Sequence, residues 1–310
     1  MLLLSAIYNF TIIAVMAHAE TSLLEQLSTN SLPYADPLVR LDWSTLDMTL
    51  PWLPQEAVSL VGLTAFDSLP ESARTRLSQL EFIGFIHAGI WLEGMFIERL
   101  SRNLRHTVSS SELAYYLHEI REEAGHSLMF LKLMGTSGIQ LPGAWHDRPA
   151  ITDFLGRYTP LHSTLFWLAV TIGEEIPDRM NRYIRTHGGK QADNVRAVDG
   201  LIHQMCTLHI IDEARHIAHA RGALEASLRT TSAFKRRLLT PMLNLMIRQF
   251  TRTFYLPSST VYELAGLNPG NKWRSMAQRN PARRAFISKC LHPTLNMLRE
   301  HGFAVRDPVI

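Results

Sequence analysis

The segment His209-Ile210-Ile211-Asp212-Glu213-Ala214-Arg215-His216 sets an imidazole, a carboxylate and a second imidazole at spacings of four and three. On an α-helix such residues project from one face in successive turns. An earlier segment, Glu122-Glu123-Ala124-Gly125-His126, repeats the carboxylate and imidazole at a spacing of three and again puts an acid directly before the motif Glu. With 14 His in 310 residues, any Glu has roughly a one-in-twenty chance of a His three places on, so one pair carries little weight. Two pairs carry more, because Glu-x-x-His motifs on facing helices are the half-sites from which helical bundles build di-metal carboxylate centres.

That scheme requires one inward Glu from each of two further helices. Phe82, Ile86, Gly89, Glu93, Ile97, Leu100 and Leu104 advance by three or four, so Glu93 interrupts an otherwise apolar stripe. A lone carboxylate there is costly to bury unless it is paired or bound to metal. Glu98 shares a more polar face with His87 and Trp91 and reads as a solvated or outer residue. The other candidate is the pair Glu174-Glu175. The stripe Leu161, Leu165, Leu168, Ile172, Glu175, Arg179 is the more continuous and selects Glu175, with Glu174 as the alternative. An isolated His209 would read as a core histidine satisfied by a backbone carbonyl. Beside Glu213 and His216 it reads as a third imidazole. The set Glu93, Glu123, His126, Glu175, His209, Glu213 and His216 offers oxygen and nitrogen donors, which suit iron or manganese rather than a closed thiolate zinc site.

In this order the motifs resemble the p-aminobenzoate N-oxygenase family of non-haem diiron enzymes, whose seven-ligand site contains a third His. The resemblance covers roughly residues 80 to 220, and its most specific part is the element His209-x-x-x-Glu213-x-x-His216. It implies a ferritin-like fold, two Fe ions, O2 as co-substrate, and an external electron donor, a reductase or ferredoxin-type protein. It also implies that Asp212 holds His126 and Glu122 holds His216 from outside the ligand set. The implied reaction is oxygen transfer to the nitrogen of a primary amine, free or carrier-bound, giving a hydroxylamine and further nitroso or nitro products in secondary metabolism. The alternatives are a diiron C–H hydroxylase or desaturase, and a non-catalytic or ferroxidase-type metal-binding helical protein. A small subunit of ribonucleotide reductase would carry Tyr one turn beyond the first motif His, where this chain has Phe130.

The remaining sequence reads as all-α. Residues 1–20 form an apolar segment without Lys or Arg, read as a mis-assigned start near Met16 or a weak signal-like sequence ending at Ala17-His18-Ala19. Residues 21–310 read as one helical domain, with the ligand-bearing bundle at about 72–228. Pro33, Pro37, Pro51, Pro54 and Pro70 suit an irregular arm. A first helix is predicted from Ser72 to Arg105. Ser109 with Glu112 makes a capping box opening a second, which stops near Gly135 and Gly138. Pro142, Gly143 and Pro149 mark a long crossover, Thr159 before Pro160 opens a third helix that Gly188-Gly189 closes, and Asp193 caps a fourth. From Ser232, shorter helices separated by Pro257, Pro269, Pro281 and Pro293 pack around the bundle. Pro177 is expected to kink the third helix or open a π-bulge in it.

Composition agrees with a catalytic helical globule, at 46% hydrophobic and 19% charged residues. The two Cys, Cys206 and Cys290, form no metal motif and suit a reducing, cytoplasmic setting. A net charge of +3, with Lys235-Arg236-Arg237 and Arg283-Arg284 as solvated basic faces, gives no nucleic-acid signature. No stable membrane insertion is expected, and a homodimer is allowed.

Overall fold

A computed structural model describes residues 23–107, 109–141, 148–189 and 197–308. Helices account for every regular element among these residues. The four long helices are α1 (Glu71–Leu104), α2 (Ser110–Ser137), α4 (Thr164–His187) and α5 (Gly200–Arg229). A shorter helix, α3 (Ala150–Tyr158), lies in the connection from α2 to α4. Two helical hairpins, α1 with α2 and α4 with α5, pack together as the ferritin-like bundle. Because α2 and α4 belong to different hairpins, the connection between them must cross over, and α3 is part of that crossover.

Local chemistry sets most of the boundaries. Ser109 accepts a hydrogen bond from the Glu112 backbone N–H and starts α2, as the capping box predicts. Gly138 ends α2 in the left-handed region at φ 66°, which a residue with a Cβ adopts only at a cost. Two starts differ from expectation. Thr159 closes α3, and α4 begins after Ser163, whose hydroxyl accepts from Phe166 N. The cap of α5 is Asp199 rather than Asp193, a residue outside those described. Asp199 Oδ1 accepts from Leu201 N at 2.9 Å and Ile202 N at 3.1 Å. Its second oxygen accepts from Asp47 N and its own N–H donates to Pro51 O, so the proline-rich arm selects this residue.

Helix α4 is α-helical throughout, Pro177 included, and no π turn is assigned in it. Pro177 leaves the Gly173 carbonyl without its i+4 donor. One turn on, the Tyr255 hydroxyl donates to Ile176 O at 2.9 Å.

Ser232 caps α6 (Ala233–Tyr255), followed by α7 (Ser259–Leu264), α8 (Gly270–Arg279) and α9 (Pro281–Glu300). Pro257, Pro269 and Pro281 separate these helices, whereas Pro293 lies inside α9. Helices α6 and α9 both pack on α4. The arm and the C-terminal helices meet in a buried network: Arg283 donates to the Ala57 and Tyr255 carbonyls, and Glu81 accepts from Ser59 N and Oγ. Among the described residues one helix, α1, is long and apolar enough to span a membrane, but 67% of its most apolar window is buried inside the protein. It is a core helix, and it carries Glu93. The apolar segment 1–20 lies outside the described residues. Both cysteines are buried thiols.

Candidate metal centre

Helices α1, α2, α4 and α5 each send carboxylates or imidazoles into the bundle interior. Glu93, Glu123, His126, Glu174, His209, Glu213 and His216 are each at most 6% exposed. Their side chains form two groups that share Glu213. Ligand-capable atoms of Glu93, His126, His209 and Glu213 lie within 4.8 Å of one another, and so do those of Glu123, Glu174, Glu213 and His216.

Two carboxylates lie between two imidazoles. His126 Nδ1 is 3.2 Å from Glu123 Oε2 and 3.4 Å from Glu213 Oε1. His216 Nδ1 is 3.1 Å from Glu123 Oε1 and 3.6 Å from Glu213 Oε2. Each of these Glu thus presents one oxygen to each His, the disposition of carboxylates that bridge two cations. His209 enters from the next turn of α5, with Nε2 3.4 Å from Glu93 Oε1.

The outward nitrogens are held as well. His126 Nε2 faces Asp212 Oδ2 at 3.3 Å and His216 Nε2 faces Glu122 Oε2 at 3.1 Å, so each acid crosses to the other motif's His. Such partners fix the tautomer and leave the inward nitrogen free to coordinate. Arg215 Nη2 bridges the two acids, lying 3.0 Å from Glu122. His209 Nδ1 is 3.1 Å from the Asn181 amide. The atom placed there is the amide nitrogen, whose N–H donates to Nδ1; turning the amide over would let its oxygen accept from Nδ1–H and leave the Nε2 lone pair facing the cluster. On the outer side, Tyr34 of the arm seats its hydroxyl against Gly125, where a Cβ would stand 2.0 Å from it. Arg121 stacks over that ring at 4.4 Å and donates to Ser31 O.

Six of the seven residues expected as ligands converge here; Glu175 does not. Its carboxylate accepts from Arg221 Nε at 2.6 Å, Arg179 Nη2 at 3.2 Å and Thr294 Oγ1. It joins α4 to α5 and α9, and Glu174 occupies the position expected of it. The apolar stripe that selected Glu175 is the face of α4 turned toward the C-terminal helices. The face toward the cluster is a polar stripe, Thr171, Glu174, Asp178 and Asn181, all buried. That spacing of three, four and three is the sequence signal that identifies Glu174.

Several atoms in the cluster have no hydrogen-bond partner among the described residues: Glu123 Oε1, Glu174 Oε1, Glu213 Oε2 and His216 Nδ1. Buried polar atoms are almost always satisfied, and four orphans converging on one point fit bound cations. Electrostatics agree. Burial, then the Glu123 and Glu213 charges, hold the Glu93 carboxyl well above its ordinary range. Burial, Glu213 and Glu123 do the same to Glu174. Burial alone would depress His126, but hydrogen bonds to Asp212 and Glu123 raise it to about 9. His216 is likewise raised against burial, chiefly by Glu123 and Glu213. Burial and the adjacent His126 lower His209 to about 4. Glu123 is held well below its usual range despite burial, by His216 and His126.

The family described as P-aminobenzoate N-oxygenase AurF matches residues 17–302. The chain belongs to this family, and its buried Glu/His cluster fits the family's diiron site. Uncharacterised proteins of Mycobacterium bovis and Mycobacterium tuberculosis are each 24% identical over 201 residues, covering 62% of this chain and 56% of their own length. The chain thus spans about half the length of these curated relatives.

The two adjacent glutamates are expected to separate in metal analysis. Glu174→Ala should lower bound iron from about two to one or fewer per chain. Glu175→Gln should retain the metal and lose about 2 kcal/mol of stability, read by urea denaturation, because its arginines lose their counter-charge and one of the two acceptor oxygens. Equal iron loss in both variants would contradict the assignment.

Metal uptake is expected to depend on pH with a definite sign. Burial and neighbouring carboxylates raise the proton affinity of Glu93 and Glu174, and neighbouring carboxylates raise that of His126 and His216. Coordination requires bound protons to leave these groups, so protons should be released on metal binding and affinity should rise with pH. Calorimetry in buffers of different ionisation enthalpy counts them, and affinity independent of pH would contradict the proton inventory.

Proposed function

We propose that this chain is a non-haem diiron oxygenase that N-oxygenates a primary amine, with O2 as co-substrate and a reductase or ferredoxin-type protein as electron donor. The observation that carries the metal centre is the convergence of orphaned carboxylate and imidazole atoms in a buried bundle interior. Membership of the N-oxygenase family supports nitrogen as the target. Glu93, His126 and His209 would hold one iron and Glu174 and His216 the other, with Glu123 and Glu213 between them. Iron so held supplies reductive activation of O2.

The protein's own part is positioning, charge and dryness. Asp212 and Glu122 orient His126 and His216 through their Nε2 atoms, and Asn181 orients His209 through Nδ1. Arg215 compensates the two outer acids. Of the three imidazoles, His209 has the lowest proton affinity and is neutral without metal, ready to coordinate. On the side of Glu93, Glu174 and His209 a small cavity, about 20 Å³, is walled by Phe85, Leu92, Phe130 and Phe254. That volume admits about one water-sized molecule. The amine therefore reaches the centre when these apolar side chains move, and they exclude bulk water from it. Gly89 keeps this wall thin, since a Cβ there would meet the Phe130 ring at 3.0 Å.

The reduced, iron-loaded protein under ¹⁸O2 is expected to place label on the nitrogen of at least one compound in a panel of arylamines, free amino acids and carrier-bound aminoacyl groups, detected by mass spectrometry. Label confined to carbon would indicate a hydroxylase. O2 consumption with iron oxidation and no organic product would indicate a ferroxidase.

A further inference from the structure

One turn beyond the ligands, between α2 and α5, lies a second buried polar cluster that the proposed chemistry does not use. Glu119 Oε2 and His219 Nδ1 are 3.2 Å apart, and the residues are 4% and 7% exposed. His219 sits among oxidisable rings: its centroid is 4.6 Å from Tyr115, 5.3 Å from Trp167 and 5.7 Å from Tyr116. Tyr115 is buried, and its hydroxyl donates at 3.3 Å to the carbonyl of Arg215, the residue before His216. Trp167, 8% exposed, lines a small cavity with the exposed His162 and so forms the outer end of the cluster.

These features have a common chemical meaning. Tyr and Trp are the protein side chains most readily oxidised by one electron, and a tyrosine gives a neutral radical only if its phenolic proton has a nearby acceptor. Glu119 is one helical turn from Tyr115 and close enough that, after burial, its charge is the largest influence raising the phenol's pKa. Tyr115 and Glu123 are eight residues apart on α2, about 12 Å along the axis.

We propose that Tyr115, Glu119 and Trp167 form a one-electron relay between the metal centre and the protein surface. When O2 has oxidised the centre and no amine is bound, one electron passes from Tyr115 to it. The phenolic proton moves to the Glu119 carboxylate, leaving a neutral tyrosyl radical and a neutral carboxylic acid. The Trp167 indole then returns one electron to Tyr115, the proton goes back from Glu119 to the phenol, and a thiol or ferredoxin-type donor in solution supplies one electron to Trp167. His219 holds the Glu119 carboxylate and fills the space between the two rings. The relay rests on redox-active iron at the cluster and is independent of which substrate is oxidised.

Freeze-quench electron paramagnetic resonance tests it. Iron(II)-loaded protein mixed with O2 in the absence of amine is expected to give a tyrosyl signal whose hyperfine pattern collapses on incorporation of ring-deuterated tyrosine. Tyr115→Phe should abolish that signal, Glu119→Gln should lower its yield several-fold, and Trp167→Phe should prolong it. A second arm needs no iron: photo-oxidation of the metal-free protein with a ruthenium polypyridyl and persulfate should give a tryptophan radical in equilibrium with a tyrosyl radical, the second absent in Tyr115→Phe. Absence of any tyrosyl signal in both arms, or an unchanged signal in Tyr115→Phe, would overturn the relay. Success in the photochemical arm with no radical from O2 would place the failure in the diiron reading and leave the relay standing.

Discussion

Seven ionisable side chains buried together between four helices are the constraint on which the rest of this structure depends. Isolated charges in such a place would cost several kcal/mol each. The cluster meets the requirement through opposed proton affinities. Burial and like charges raise Glu93 and Glu174, the carboxylates raise His126 and His216, the imidazoles hold Glu123 low, and burial with His126 lowers His209. Two divalent cations would carry the charge to match four carboxylates. Exchange of protons for metal is therefore the natural equilibrium of the site.

The surroundings maintain that balance. Asp212 and Glu122, which fix the two inner histidines, are themselves neutralised by Arg215 and flanked by Arg121 under the arm. On the far side of α4, Glu175 is satisfied by Arg179, Arg221 and Thr294, so two adjacent acids on one helix have opposite surroundings. The C-terminal helices supply that second environment. Their role is to bury the outer face of α4 and thereby fix the rotation that points Glu174 inward.

Much of this is legible in the sequence. The two Glu-x-x-His pairs and His209 follow the helical period directly, and Glu93 is conspicuous because it breaks an apolar stripe. Glu174 is harder to read because α4 is buried on two faces, and the more apolar stripe marks packing against α6 and α9 rather than the site. Helix starts follow the same division. Ser109 caps α2 by local chemistry and can be read from its neighbours. Asp199 caps α5 because its carboxylate and amide also bond to Asp47 and Pro51, some 150 residues away in sequence, a tertiary choice that no local pattern contains. Pro293 lies within α9 although it reads as a break, where α9 packs on α4 and Thr294 bonds Glu175.

The central claim is that Glu123 and Glu213 would serve two irons, each held by different histidines. Anomalous diffraction at the iron edge from crystals of the loaded protein tests it most directly. Two peaks are expected, one against Glu93, His126 and His209 and the other against Glu174 and His216. A single peak, or a peak at Glu175, would contradict the account.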